Sequence, residues 1–338
     1  MTHREQSPAL AASTETTVVV VPREQFSVAL RSLDSILQRT AAPHELLYVD
    51  GNSPPEVRMG LEQRARDHGF RLLRSERYLS PNHARNLALE HVTTPLVCFI
   101  DNDIVVEQGW LTELMRCALD TGAALVGPLT FEGEPEEQRI HVAGGTCELA
   151  GQRPNRSIQA IQRHFGVNLN DLDEPLERIE TGLCEVHCFL ARRDALDRVG
   201  PFDEALLGSR EHLDLCLAVR ASGGAVWFEP SSVVTFCVPR KLARIDVPYF
   251  LLRWSEGWID KSLEHFTTKH GIGAEYKQRL HIASHRRSLV FAPVVEAVRR
   301  SLGERAGRVT HTVLRRCERV TNRLFVRADG RGELRPVQ

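Results

Sequence analysis

The chain has 338 residues, 42% hydrophobic and 26% charged, with a formal net charge of −1. That is enough apolar material for one large core plus an appendage, and it excludes a disordered polyelectrolyte. No run of about 18–20 apolar residues occurs, which excludes a membrane-spanning helix.

Met1 to Thr16 is polar, contains Pro8 and has no apolar stretch of signal-peptide length, so residues 1–16 read as a flexible N-terminus without an export signal. The eight cysteines are scattered, as expected of reduced thiols, and a cytoplasmic location follows. Thr17-Val18-Val19-Val20-Val21-Pro22-Arg23 is a buried strand stopped by a proline that cannot donate to a sheet ladder. Val28, Leu30, Leu33, Ile36 and Leu37 then recur at helical spacing from Ser27 to Arg39. Glu45 to Val49 is a second strand, closed by Asp50-Gly51-Asn52-Ser53, and a helix from Pro55 to His68 ends at Gly69. Strand–helix alternation predicts a parallel sheet with right-handed crossovers.

Val97-Cys98-Phe99-Ile100 follows, ending on Asp101-Asn102-Asp103. An apolar run of this kind is a strand buried on both faces, and its carboxyl end is where open α/β sheets bind ligands. Side chains alternate along a strand, so the two acids leave it on one side, where paired hard oxygens suit Mg²⁺ or Mn²⁺. Taken alone, two acids after an apolar run are also what a solvated turn looks like. Glu132 to Arg139 is a charged loop, His141 to Gly145 returns to the sheet edge, and Arg153 to Glu180 has only weak periodicity. Cys184-Glu185-Val186-His187-Cys188 has the look of a metal tract, but no second Cys/His pair accompanies it at finger spacing, and buried cysteine is the simpler reading.

Five segments together resemble glycosyltransferase family 2: VVVVP, LLYVDGNS, NHARNLAL, PLVCFIDND and FLARRDALDRVGPFDEALLGSREHLDLCLAVRASGGAVWFEPSSVV, in the family's order from Thr17 to Thr235. The resemblance implies an inverting enzyme of α/β class with the GT-A fold, a Rossmann-like mixed sheet flanked by helices. Residues 17–245 would be the catalytic domain and 246–338 a helical, Arg-rich extension. It implies a nucleotide-sugar donor, a UDP-sugar by preference, and an acceptor hydroxyl on a glycan, a lipid-linked molecule or a small molecule. Asp103, ending the DxD motif, would hold the divalent cation directly, with Asp101 helping through ribose or water and Asn102 between them. Asp50, with Asn52 in the turn after it, would meet the nucleotide base against a wall formed by Pro22 and Arg23. Arg85 matches an arginine placed near the nucleotide, where its fork of donors suits base carbonyls or phosphate.

Glu211-His212-Leu213-Asp214-Leu215 stands at the family's acidic helix start, which supplies the general base. The position usually held by the catalytic aspartate is His212. Glu211 is the first choice of base and neutral His212 the second, with Asp214 orienting the acceptor or an arginine such as Arg220. Phe236 stands where the family commonly has a metal-binding histidine, which leaves Asp103, diphosphate and water to hold the ion. Glu185 and His187 would line the acceptor side, and the Arg153–Glu180 stretch would build acceptor selectivity.

Trp254 and Trp258, four apart, belong on one helix, either stacking on a sugar or packing in the core. From His281 to Gln338 there are 13 arginines and no lysines against 5 acids, a balance of +8. The apolar spacing there predicts two basic amphipathic helices broken near Gly303 and Gly307. They either pack on the catalytic domain or rest on an anionic membrane surface, which would make the protein peripheral at the inner face. Nucleic acid is not the expected partner, because the tail lacks stacking aromatics. Two other classes fit less well. A sugar-phosphate nucleotidyltransferase needs a Gly-rich loop where Pro22-Arg23-Glu24 stands. A non-catalytic sugar-nucleotide-binding protein is suggested by the departures at His212 and Phe236.

Overall fold

The structure is a computed structural model that describes residues 15–273 and 285–327. Most of the expected flexible N-terminus and the last part of the Arg-rich tail lie outside the described residues. The elements run β1 (Thr16–Val21), α1 (Ala29–Arg39), β2 (Glu45–Gly51), α2 (Pro55–His68), β3 (Arg71–Ser75), α3 (Pro81–Leu89), β4 (Leu96–Asp101), β5 (Ile104–Val106) and α4 (Trp110–Thr121). They continue as β6 (Leu125–Glu132), β7 (Ile140–Val142), β8 (Gly145–Ala150), β9 (Ser157–Gln162), β10 (Ile179–Glu180), β11 (Cys188–Arg192), α5 (Arg193–Val199), α6 (Glu211–Ala221), β12 (Val226–Phe236), α7 (Val247–Arg253), α8 (Glu256–His270) and α9 (Ala292–Arg327).

Ten strands form one mixed sheet whose main path is β10-β12-β6-β11-β4-β1-β2-β3. Strands β1, β2, β3 and β4 are parallel, whereas β11 runs antiparallel to both β4 and β6. Alternation sorts the core into two layers. Val19, Val21, Val97 and Phe99 face α3, α5 and α6, while Val18, Val20, Cys98 and Ile100 face α1, α2 and α4. Each such buried aliphatic side chain contributes about 1.5–3 kcal/mol, so the four-valine run of β1 fixes the middle of the sheet and its register. Val21 lies opposite Asp101, and Asp50 ends the parallel neighbour β2, so the acidic strand ends gather on one edge as the sequence predicts.

The helix from Pro55 to His68 has the expected bounds, with Gly69 at φ 70° as its left-handed cap. The weakly periodic insert is more ordered than its sequence suggests: its strand β9 pairs with β8, just before it, in a separate antiparallel hairpin, and Gly145 at the start of β8 is bonded to the Thr181 hydroxyl. Trp254 and Trp258 do not share a helix. Trp254 closes α7, and Ser255 intervenes as the cap of α8 by accepting a hydrogen bond from the Trp258 backbone N–H at 3.1 Å. The segment after residue 245 packs into the domain. Buried Asp246 accepts hydrogen bonds from the backbone N–H groups of Phe26 and Ser27 at the start of α1, and Tyr249 donates to the Leu79 carbonyl.

Candidate active site

The loop after β1 enters the carboxyl edge of the sheet and is fastened there by Asn102. Its side-chain oxygen accepts from the Arg23 backbone N–H at 3.0 Å, and its amide donates to the Gln25 carbonyl at 3.0 Å. Both polar ends of Asn102 are therefore engaged in shaping the loop. Asp101 ends β4 fully buried, with Arg85 Nη2 3.3 Å from one oxygen, and His187 Nδ1 at 2.9 Å and Arg23 Nε at 3.4 Å from the other. Burial pushes the Asp101 carboxyl up to about 7 despite the arginines.

Arg85 is itself buried in α3. It also donates to the Val186 carbonyl at 2.9 Å and lies over the rings of Phe189 and Phe202. Burial lowers its pKa, and its role in this geometry is to hold Asp101 in place.

Asp103 sits in the turn between β4 and β5. It is wholly buried, and neither carboxylate oxygen has a hydrogen-bond partner among the described residues. Burial, then the negative charges of Asp101 and Glu24, drive its pKa well above the ordinary range. A buried carboxylate left in this state is a standing demand for a cation. Arginines with spare donors surround Glu24, whose charge also reaches Asp103. Arg253 of α7 is buried with Nε and Nη1 unpartnered among the described residues, and its Nη2 is 4.0 Å from Glu211. Arg23 donates to Glu211, and Arg286 to Glu24.

Glu24, Arg253 and Arg286 were not legible as site residues. A lone arginine on an amphipathic helix, as in FLLRW, ordinarily reads as solvated, and only its burial here reveals it. Among the described residues no three His, Cys, Asp or Glu side chains are gathered into a ready metal cage.

A second polar cluster lies at the end of β2. Asp50 accepts from the backbone N–H and hydroxyl of Ser53, both at 2.9 Å, and from Arg74. Asn52 adopts φ 67°, a strained turn of the kind found at ligand sites, and a side chain at Gly51 would meet Pro22 Cγ at 2.8 Å. Pro22, Asp50, Asn52 and Arg74 are thus brought together. Arg23 points instead toward Asp101 and Glu211.

At the start of α6, Arg210 takes φ 73° and turns the first helical residues into the site. Glu211 is locked against Arg23. Burial opposes its charge, but Arg23 and Arg253 overcome that and hold its carboxyl far below the usual range. His212 is partly exposed, with Nε2 3.7 Å from Glu185. Asp214 accepts from Lys269 at 2.9 Å and His270 at 2.7 Å on α8, while Arg220 donates to the Cys147 carbonyl rather than to Asp214. Phe236 is buried and stacks on His187 with ring centroids 4.3 Å apart. Cys184 and Cys188 are buried with the core, Cys184 N–H lying 3.2 Å from Cys216 Sγ. Three surface clefts of 630–670 Å³ contain none of Asp50, Asp101, Asp103 or Glu211. The acidic edge is drawn shut by its own ion pairs.

Residues 17–200, more than half of the chain, match the sequence model of Glycosyl transferase family 2. The chain belongs to that family. A pre-mycofactocin glycosyltransferase of Mycobacterium tuberculosis is 29% identical over 155 residues, 46% of this chain and 29% of that protein. Succinoglycan biosynthesis protein ExoM of Rhizobium meliloti is 26% identical over 231 residues, 66% of each chain. The family-2 chain thus spans less than two thirds of these relatives' lengths. Among solved structures, a mannosyltransferase of Pyrobaculum calidifontis in complex with GDP-Man and Mn²⁺ superposes with a TM-score of 0.50 at 14% identity, covering 94% of this chain and 88% of that one. The fold is GT-A.

Proposed function

We propose that this family-2 protein transfers a sugar from a nucleoside diphosphate sugar, a UDP-sugar by preference, to a hydroxyl of a glycan, lipid-linked or small-molecule acceptor with inversion. The observation that carries the reading is that the charge of Glu24 reaches both Asp103, a buried carboxylate with two unpartnered oxygens, and Arg253, a buried guanidinium with two unpartnered donors. A diphosphate with its cation satisfies both. The names of the similar proteins, a glycosyltransferase and a polysaccharide biosynthesis protein, support the same reaction class.

The residues fit Mg²⁺ or Mn²⁺. Asp103 would hold the ion, with Asp101 and Glu24 adding negative charge, and when bound it supplies Lewis-acid stabilisation of the leaving diphosphate. Arg253 and Arg23 meet the remaining phosphate charge. Pro22, Asp50, Asn52 and Arg74 form the nucleoside wall. Glu211 is a poor base because its charged form is so strongly stabilised by Arg23, whereas burial holds His212 below its ordinary pKa and therefore neutral at pH 7. The base role is accordingly assigned to His212, with Glu211 placing Arg23 and Asp214 bracing α6 against α8.

The outer face of α9 supports a second partner, an anionic membrane surface. Leu302, Val309, Val313 and Val320 are 52–73% exposed, and Arg305, Arg308, Arg316 and Arg319 are exposed beside them. The opposite face is anchored: Arg287 donates to Glu318 at 2.6 Å and to the Trp254 carbonyl, and Asn322 donates to the Leu251 carbonyl. A second copy on this stripe would bring rows of arginine together.

Thermal unfolding with UDP, GDP and dTDP, each with Mn²⁺ or with EDTA, tests the donor site. One nucleotide should raise the midpoint, and more so with Mn²⁺, by mass action on the folded state. No shift with any nucleotide would overturn the reading.

A further inference from the structure

We infer that Glu185 positions His212 as the proton acceptor, and that Gln162 of β9 holds Glu185 in turn, coupling the β8–β9 hairpin to the base. This rests on the assignment of His212 above. Glu185 lies in the segment before β11 and is 8% exposed. Its Oε1 accepts a hydrogen bond from Gln162 Nε2 at 2.9 Å, and the same oxygen is 3.7 Å from His212 Nε2. A carboxylate accepts only, so the Gln162 amide must present its NH₂ to Glu185, which fixes that oxygen in space. At 3.7 Å the two atoms lie just outside hydrogen-bond range, and the inferred dyad requires a side-chain rotation that brings them within it. Glu211 is the adjacent carboxylate along the chain, but it is turned into Arg23.

The consequence is a defined tautomer. With Nε2 facing a carboxylate, the neutral ring carries its proton there, and the lone pair sits on Nδ1, which has no hydrogen bond among the described residues. Nδ1 takes the proton of the acceptor hydroxyl as that oxygen bonds to the anomeric carbon and the bond from carbon to the diphosphate oxygen breaks. Glu185 then stabilises the imidazolium until the proton is lost to water. The groups facing the ring are Glu185 and Glu211, which favour its charged form, and Arg210 and Arg23, which oppose it along with burial. Glu185 is ionised in this setting: burial opposes its charge, but His212, His187 and His141 hold its carboxyl at about 2.

The test is an NMR titration of the His212 ring in the full chain, with the resonance assigned by its loss in His212→Asn. Glu185→Gln should lower the ring pKa by about half a unit or more, and Glu185→Asp should restore part of it. In Gln162→Ala the ¹⁵N shifts of the ring should report a mixed tautomer in place of Nε2–H. The pH profile of nucleotide release from the sugar nucleotide identified by thermal shift should move with the ring pKa. An unchanged titration in Glu185→Gln and Glu185→Asp overturns the dyad even if the parent turns over. Absence of turnover in a parent whose ring still responds to Glu185 overturns the transferase reading instead.

Discussion

Leaving a buried carboxylate without partners costs the folded state about 1–3 kcal/mol, so Asp103→Asn should raise the stability of the metal-free protein while abolishing its response to Mn²⁺. The pH dependence has a definite sign. The folded-state pKa of Asp101 is about 7, and Asp103 is raised in the same direction, both above ordinary carboxyl values. Between about pH 4 and 7 the folded protein therefore keeps protons that the unfolded chain has released, and this contribution to stability falls as pH rises. Glu211 acts oppositely, stabilising above the usual carboxylate range and losing that only in acid. Urea unfolding at pH 5 and 8 without metal should show a decline with pH that is smaller in Asp103→Asn; parallel declines would contradict the orphaned-carboxylate account. At this scale the sequence displayed what strand ends display: Asp50, Asp101 and Asp103 follow apolar runs. It did not display Arg253 or Glu24, because their importance lies in burial created by distant segments, nor where Arg23 points, on which the proposed preference for His212 over Glu211 rests.

Elements were legible in proportion to their periodicity. Helix α2 has a proline start and a glycine stop, and its limits follow from those two residues. The β8–β9 hairpin is hard to read because in β9 the apolar Ile161 lies on the exposed face beside Ala160, which blurs the period of two. The four-residue spacing of the two tryptophans carries no sign of the Ser255 cap between them. In the C-terminal region the expected break falls at Gly303, with φ 85° and ψ 174°, whereas Gly307 stays helical and is buried against Arg299 of the preceding turns. The face so presented yields a prediction for α9. The protein should sediment with anionic vesicles at low salt and release at about 0.5 M, since each basic residue near such a surface contributes about 1 kcal/mol and is screened beyond a few ångströms. Val309→Glu with Val313→Glu should abolish sedimentation without lowering the unfolding midpoint. A parent that ignores anionic vesicles would refute the docking role.

At the scale of the molecule, the parallel half of the sheet delivers the acids, the antiparallel β11 delivers His187 beside them, and the segment after residue 245 closes the edge with Tyr249, Arg253 and Arg286. The last contribution was the least legible, since an extension outside the motif-bearing region reads as an appendage until it is seen to fill the site. Under the proposed function, closure by internal ion pairs would require donor phosphates to take over arginines now engaged by Glu24 and Glu211. The account as a whole is tested most directly by nucleoside diphosphate release from a panel of UDP-, GDP- and dTDP-sugars with Mn²⁺. It predicts release from at least one donor, a loss of about 100-fold or more in His212→Ala with nucleotide binding retained, and loss of metal dependence in Asp103→Ala. Binding without release from any donor, or release indifferent to both substitutions, would contradict it.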